Sequence, residues 1–209
     1  MQTRKAYLYV FDTMSDWEYG YLIAELNTGR YFKKEIAPIK IITVGTTKET
    51  ITTMGGLKIT PDLSLDQCTF KKSELLILPG GETWGETAKH PILQTVAKAL
   101  ETGTIIAAIC GATIGLANMG YLDTRKHTSN NLNYLKMVCP NYKGEKLHEE
   151  GQLATTSDNL ITASGIAPLE FAREVLEKLE VFSPKTLDSW YQLNKTQKQE
   201  HFFSLINSV

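Results

Sequence analysis

Three short runs in this chain are almost entirely apolar, and each stops at small or turn-forming residues. They are Ala6 to Phe11, ended by Asp12, then Glu74 to Leu78, ended by Pro79-Gly80-Gly81, and Thr104 to Ile109, which runs into Cys110-Gly111. A strand with one solvated face alternates apolar and polar side chains, whereas a strand covered on both faces need not. Such runs therefore read as interior strands of a parallel sheet.

The stretches between them carry helical signals. Ser15 to Leu26 places Trp17, Leu22, Ile23 and Leu26 at helical spacing, and Ser15-Asp16-Trp17-Glu18 fits a capping box at its start. Pro91 to Glu101 has Pro in its first turn and Gly103 after its end. Small residues from Gly111 to Gly120 suit a closely packed helix, and Pro168 to Leu179 puts Leu169, Ala172, Val175, Leu176 and Leu179 on one face. Ile39 to Val44 is a further strand. Ile51 to Ile59 reads as a hairpin about Gly55-Gly56, and Gln152 to Thr156 with Leu160 to Ala163 as another about Ser157-Asp158-Asn159. Strand and helix in alternation imply an α/β fold with a mostly parallel central sheet covered on both faces.

The one boundary falls near Ser183, giving a main domain over residues 1–182 and a C-terminal helical appendage over 183–209. The appendage holds Trp190, Tyr191, Leu193, Phe202, Phe203, Leu205 and Ile206, too apolar for a solvated tail. It must dock on the main domain or build a subunit contact, and a homodimer is expected.

With 42% hydrophobic residues the chain of 209 is neither disordered nor fibrous. Its 22 Lys+Arg against 23 Asp+Glu leave a formal charge of -1, so no nucleic-acid footprint is expected. No run approaches the roughly 20 apolar residues that span a bilayer, and the N-terminal run is too short for a secretory signal. Three cysteines, Cys68, Cys110 and Cys139, show no metal spacing. A cytoplasmic setting is expected, with no metal, no cofactor, and no nucleic-acid or membrane partner.

In an open α/β sheet, chemistry gathers beyond the carboxyl ends of the strands. Cys110 stands there, between a strand and a helix, in the order of a nucleophile elbow, where the helix N-terminus favours thiolate. A buried structural cysteine is the alternative. Gly81 and Gly111 would present backbone N–H groups to an oxyanion. Glu18 either caps its helix or leans on Cys110, in which case the two titrations couple and a protonated Glu18 donates to the thiolate. Trp84 is either a crevice wall or a packing residue. His90, His148 and His201 read as surface residues, and Cys68 and Cys139 as core or loop thiols.

Leu76-Ile77-Leu78-Pro79-Gly80-Gly81 and Ile106-Ala107-Ala108-Ile109-Cys110-Gly111, with Asp16-Trp17-Glu18 and Ser164-Gly165 before Leu169-Glu170-Phe171-Ala172, resemble the ThiJ/PfpI family over residues 6–180. The resemblance implies a flavodoxin-like three-layer sandwich of the class I glutamine amidotransferase-like superfamily. It implies Cys110 as nucleophile, Glu18 as its carboxyl partner, and Gly81 and Gly111 as oxyanion donors. Where peptidase-like members have His after the Cys, this chain has Gly111. Where others have a Thr-Thr-His pattern, it has Lys126-His127-Thr128-Ser129-Asn130, with Asn130 at the histidine position. His127 is the remaining candidate base, although in an extended stretch an odd offset turns it to the opposite face.

Three functions follow from the resemblance. The first is a cysteine hydrolase (PfpI-type protease or amidase, or glyoxalase/deglycase-like) acting on a small-molecule or peptide substrate. The second is a stress sensor or chaperone in which Cys110 is oxidised. The third is a glutaminase subunit, which normally needs a His-x-Glu pair late in the chain, where Pro168-Leu169-Glu170 has no histidine.

Overall fold

In the computed structural model, which describes residues 4–209, the apolar runs pair side by side. One sheet contains β1 (Lys5–Tyr9), β2 (Lys40–Gly45), β5 (Leu63–Ser64), β6 (Leu75–Leu78), β7 (Ile105–Ile109), β8 (Ala154–Ser157) and β9 (Leu160–Ala163). Their order is β5-β2-β1-β6-β7-β9-β8, and every neighbouring pair is parallel except β8 with β9. Leu8 pairs with Ile77, Ile77 with Ala107 and Ala107 with Ile161, so these strands are in step. The chain consequently leaves β1, β6, β7 and β9 along one edge, where the site is built.

The helices are α1 (Gly20–Thr28), α2 (Leu93–Glu101), α3 (Ala112–Asn118), α4 (Leu132–Val138) and α5 (Pro168–Lys178), followed by α6 (Pro184–Thr196) and α7 (Gln199–Ile206). From β1 the chain steps one way across the sheet to β2 and the other way through β6 to β7. Right-handed crossovers therefore put α1 on one face and α2 on the opposite one, giving three layers. Each strand of the centre is buried on both faces, as in β6, where all four residues are buried. Buried Leu169, Phe171, Val175 and Leu176 of α5 each contribute about 1.5–3 kcal/mol relative to exposure. The hairpin about Gly55-Gly56 forms from β3 (Ile51–Thr52) and β4 (Lys58–Ile59), outside the main sheet.

The first helix begins at Gly20, not at Ser15. Tertiary bonds take the residues before it: the Ser15 N–H donates to the Gly80 carbonyl at 2.9 Å, and Asp16 Oδ2 accepts from the Gly55 N–H at 2.6 Å. Ser15 to Tyr19 thus form a loop over the sheet edge, and no side chain caps α1. Two elements had no sequence expectation. The strand β5 is two residues long, and α4 follows Asn131, whose Oδ1 caps it by accepting from the Tyr134 N–H at 2.9 Å.

The segment after Ser183 docks on the main domain. Ser183 Oγ caps α6 by accepting from the Thr186 N–H at 3.1 Å, and Leu187, Trp190 and Leu205 are buried. The Trp190 indole N–H donates to Glu25 Oε1 of α1 at 3.0 Å, and Arg30 pairs with the same buried carboxylate. Residues 1–3 of the expected main domain lie outside the described residues.

Candidate active site

Cys110 stands at the turn from β7 into α3 with φ +59°, a left-handed conformation that costs a residue with a Cβ about 1–3 kcal/mol. The turn is held at both ends. Its N–H donates to the Ala163 carbonyl at 2.9 Å, and its carbonyl accepts from Thr113 Oγ1 at 2.6 Å. This geometry lifts a half-buried sulfur to the sheet edge, with glycines where the chain closes around it. A Cβ added at Gly165 would lie 2.6 Å from Cys110 Sγ, and one at Gly80 would lie 2.7 Å from Cys110 Cβ and from both Glu18 oxygens.

Glu18 is only 1% exposed and reaches this point from the loop between β1 and α1. Its Oε2 accepts from the Gly80 N–H at 2.5 Å. Oε1, on the side facing Gly165 and the sulfur, is buried without an oxygen or nitrogen partner. The capping role fails because α1 starts beyond Glu18.

Burial pushes the Glu18 carboxyl above the ordinary carboxylate range, against the pull of the Gly80 N–H and, less strongly, of the Cys110 and Ser15 side chains. Burial, then the neighbouring Glu18 charge, pushes the Cys110 thiol up as well, while Asn130 and the Gly111 N–H pull it down. The helix N-terminus alone therefore does not set the sulfur's charge. Two anions in one low-dielectric site are costly, so the two titrations are coupled.

Asn130 is the third group at the sulfur. Its Nδ2 donates to Sγ at 3.3 Å, and its Oδ1 accepts from the Gly165 N–H at 2.8 Å, which fixes the direction of the amide. Gly165 is tied from its other side by the Trp17 indole N–H, which donates to its carbonyl at 3.2 Å.

Gly81 and Gly111 lie against each other: a Cβ on Gly111 would meet the Gly81 carbonyl oxygen at 2.9 Å and the Gly81 nitrogen at 3.5 Å. Neither N–H donates to another backbone carbonyl among the described residues. Trp84 packs beneath them, buried, with its indole N–H donating to the Pro79 carbonyl at 2.8 Å. It is a packing residue; a Cβ on Gly115 would strike its ring at 2.6 Å.

The structure does not bring His127 to this group, and its expected role as a base is withdrawn. It is buried on the other side of the segment, with Nδ1 on the Arg125 carbonyl at 2.7 Å and Nε2 on the Tyr142 hydroxyl at 2.6 Å. His90 is no surface residue either. It is buried, stacked on the Trp84 ring at 4.1 Å, and bonded through Nε2 to Thr83 Oγ1. His148 is half-buried with Nε2 on Ser129 Oγ at 3.0 Å, whereas His201 lies on α7 beside Glu200. Cys139 is a buried thiol and Cys68 a half-buried one.

A cleft of about 10 Å³, the room of about one water, opens at Cys110 between Ser129, Asn130, Asn131 and Tyr134. A larger cavity of about 370 Å³ lies beyond β1 and β2, lined by Phe11, Asp12, Thr46 and His90, and does not reach the sulfur. The smaller cleft is the one that matters for chemistry, because the nucleophile candidate forms its wall. Among the described residues, no group of three or more His, Cys, Asp or Glu is placed to hold a metal, and no helix is long and apolar enough to cross a membrane.

The sequence matches the DJ-1/PfpI family over residues 4–178, and the chain belongs to that family. It is 68% identical over 209 residues to a Bacillus subtilis protein named "uncharacterized protease YoaZ", covering 100% of this chain and 99% of the relative. It is 27% identical over 150 residues to "glutathione-independent glyoxalase DJR-1.2" of Caenorhabditis elegans, covering 68% of this chain and 74% of that one. The crystal structure of a thiJ/pfpI family protein from Bacillus anthracis superposes with a TM-score of 0.96 at 69% identity, covering 100% of this chain and 98% of the other.

Proposed function

For this member of the DJ-1/PfpI family we propose a cysteine-nucleophile hydrolase of small or peptide-like carbonyl substrates. Cys110 attacks, Glu18 carries the proton, and the Gly81 and Gly111 N–H groups hold the oxyanion. The observation that carries this reading is the buried, unpartnered Glu18 Oε1 beside the sulfur. One proton between Oε1 and Sγ satisfies both atoms; with the proton on Oε1 the acid donates to a thiolate, and this is the form that can attack a carbonyl.

The steps balance on these groups alone. The thiolate adds to the carbonyl carbon, and the oxygen takes the charge between the two N–H donors. The carbon–leaving-group bond then breaks as Glu18 passes its proton to the departing nitrogen or oxygen. Water cleaves the resulting thioester, giving its proton to the Glu18 carboxylate and regenerating thiolate beside acid. One relative's name, a protease, is compatible with such chemistry, while the other's, a glyoxalase, shares with it only the carbonyl substrate and the thiolate addition.

Asn130 favours a second reading. It can donate to the sulfur but cannot take a proton, so water activation falls to Glu18 alone. In that reading two equivalents of peroxide convert the thiolate to sulfinate with release of two waters, and the oxidised residue is the signal. A late glutaminase pair finds no support, because Glu170 is engaged by Tyr191 and Lys195 of α6. Intact-mass measurement after mild peroxide, with an ester, peptide and dicarbonyl panel, separates the first two. Turnover that Cys110→Ser abolishes supports the hydrolase; a stable gain of two oxygens on Cys110 without turnover of any panel member overturns it in favour of the sensor.

A further inference from the structure

We propose that the mouth of the Cys110 cleft selects uncharged electrophiles that carry an aromatic or branched apolar group, and that Trp17 and Ile166 determine this specificity. The inference rests on the reading of Cys110 as a nucleophile.

Trp17 is 53% exposed and Ile166 is 84% exposed. A single exposed apolar side chain is ordinary. These two are different because of what they flank. Gly165 sits against the sulfur, so close that an added Cβ would lie 2.6 Å from Sγ. Trp17 is tied by its indole N–H to the carbonyl of that glycine, and Ile166 is the next residue in the chain. A large aromatic face is thus held beside Gly165 by a hydrogen bond, not left to swing, although neither Trp17 nor Ile166 lines the cleft itself. Tyr134 adds a second exposed ring from α4, on the wall of the same cleft.

Charge and size narrow the occupant further. Cys110 apart, no Asp, Glu, Lys, Arg or His lines the cleft, and among the described residues neither Cys110 nor Glu18 has a lysine or arginine acting on it. A substrate carboxylate would find no counter-charge and would face the anionic Cys110–Glu18 pair. The space at the sulfur holds only about 10 Å³. One small reactive group can descend to Sγ, and the rest of the molecule must lie outside, where Tyr134 on the cleft wall and Trp17 and Ile166 beside Gly165 are exposed. A methylene in a closed apolar pocket discriminates by roughly 10–200-fold, and contact on this open surface sits at the low end, about tenfold.

The test is alkylation of Cys110 in the full chain by three reagents: iodoacetamide, iodoacetate and N-benzyl-iodoacetamide. In each the sulfur attacks the methylene carbon and iodide leaves. Rates are read on the Cys110 peptide by mass, which separates it from Cys68 and Cys139, and divided by the rate of N-acetylcysteine with the same reagent. The normalised rate is expected to be about tenfold higher for the benzyl amide than for iodoacetamide, and about tenfold lower for iodoacetate. Trp17→Ala and Ile166→Ala should each reduce the benzyl-to-iodoacetamide ratio towards one. Trp17→Phe keeps a ring face and should keep most of the ratio.

Equal normalised rates in the wild type overturn the proposal, as does a benzyl preference that survives both alanine variants. So does light scattering in which Trp17→Ala splits a dimer, since the patch would then be a subunit contact. Uniformly slow alkylation by all three reagents is a different failure: it removes Cys110 as the nucleophile, and this inference with it.

Discussion

Asn130 donates its side-chain N–H to the Cys110 sulfur at 3.3 Å while its carbonyl oxygen is held by the Gly165 N–H at 2.8 Å. The amide has one orientation, and the group that meets the sulfur is a donor with no basic site. Removing it takes a hydrogen bond from the sulfur, which matters most when the sulfur is ionised. Hydrogen bonds to charged groups contribute about 1.5–3 kcal/mol, and Asn130 is exposed enough to sit at the low end. Asn130→Ala is expected to slow Cys110 alkylation about tenfold at pH 7. Asn130→Asp should slow it further through like charge, and both deficits should shrink at high pH, where the thiol ionises without help. A pH series of alkylation rates checks this.

Gly165 is packed against reacting atoms on one side, with Sγ, Cys110 Cβ and Glu18 Oε1 all within 3.3 Å of an added Cβ. Overpacking in such a place costs about 1–3 kcal/mol. Gly165→Ala is expected to lower Tm by about 2–4 °C per kcal/mol, measurable by thermal melting, and to disturb the Asn130 contact. An unchanged Tm with unchanged sulfur reactivity would show that this loop yields freely.

Acid should weaken the fold through its buried histidines. Burial holds His90 neutral, its pKa lowered to about 4, and burial lowers His127 and His148 as well. The unfolded chain takes up protons first as pH falls, so the stability from His90 is complete above the ordinary value near 6.5 and is lost towards pH 4. That window is worth about 3 kcal/mol for His90 alone. Glu18 acts in the opposite sense: its raised pKa gives stability present at low pH and lost as pH rises through the folded value. Denaturant melts of wild type and His90→Gln between pH 7 and 4.5 should show a shallower acid loss in the variant.

The appendage is expected to stabilise the domain it covers. Trp190 is buried and its indole N–H donates to buried Glu25. Trp190→Ala should cost about 3–5 kcal/mol. Trp190→Phe should cost less but still about 1–3 kcal/mol, because a buried carboxylate loses a donor. Urea unfolding of both variants gives the values.

The architecture was legible because its strands are covered on both faces and short: Leu76-Ile77-Leu78 and Ile106-Ala107-Ala108 could be little else. Cys110 was legible from its place at a strand end. What the sequence obscured were side chains whose partners come from afar. Ser15-Asp16-Trp17-Glu18 has the local chemistry of a helix cap, and only the distant Gly55 and Gly80 N–H groups pull it into a loop. His90, read as a surface residue before a proline, is buried because Phe11 and Trp84 close around it. The odd offset between His127 and Asn130 was legible, and the structure follows it, with Asn130 on the sulfur and His127 facing away. The contact of Asn130 with the sulfur and that of Trp17 with the Gly165 carbonyl left no periodic signal, since both partners are distant in sequence.

The central claim is that Cys110 and Glu18 share a proton, and the most direct measurement is the pH dependence of Cys110 alkylation in wild type and Glu18→Gln. Burial and a charged Glu18 push the thiol up, so an inflection below about pH 7.5, the upper end for activated cysteines, requires the shared proton to sit on Glu18, and wild type is expected to show it. Glu18→Gln should lose that inflection and titrate as a buried thiol at higher pH, because an amide has no proton to exchange with sulfur. A wild-type profile of an ordinary thiol, or one that Glu18→Gln leaves unmoved, would contradict the account.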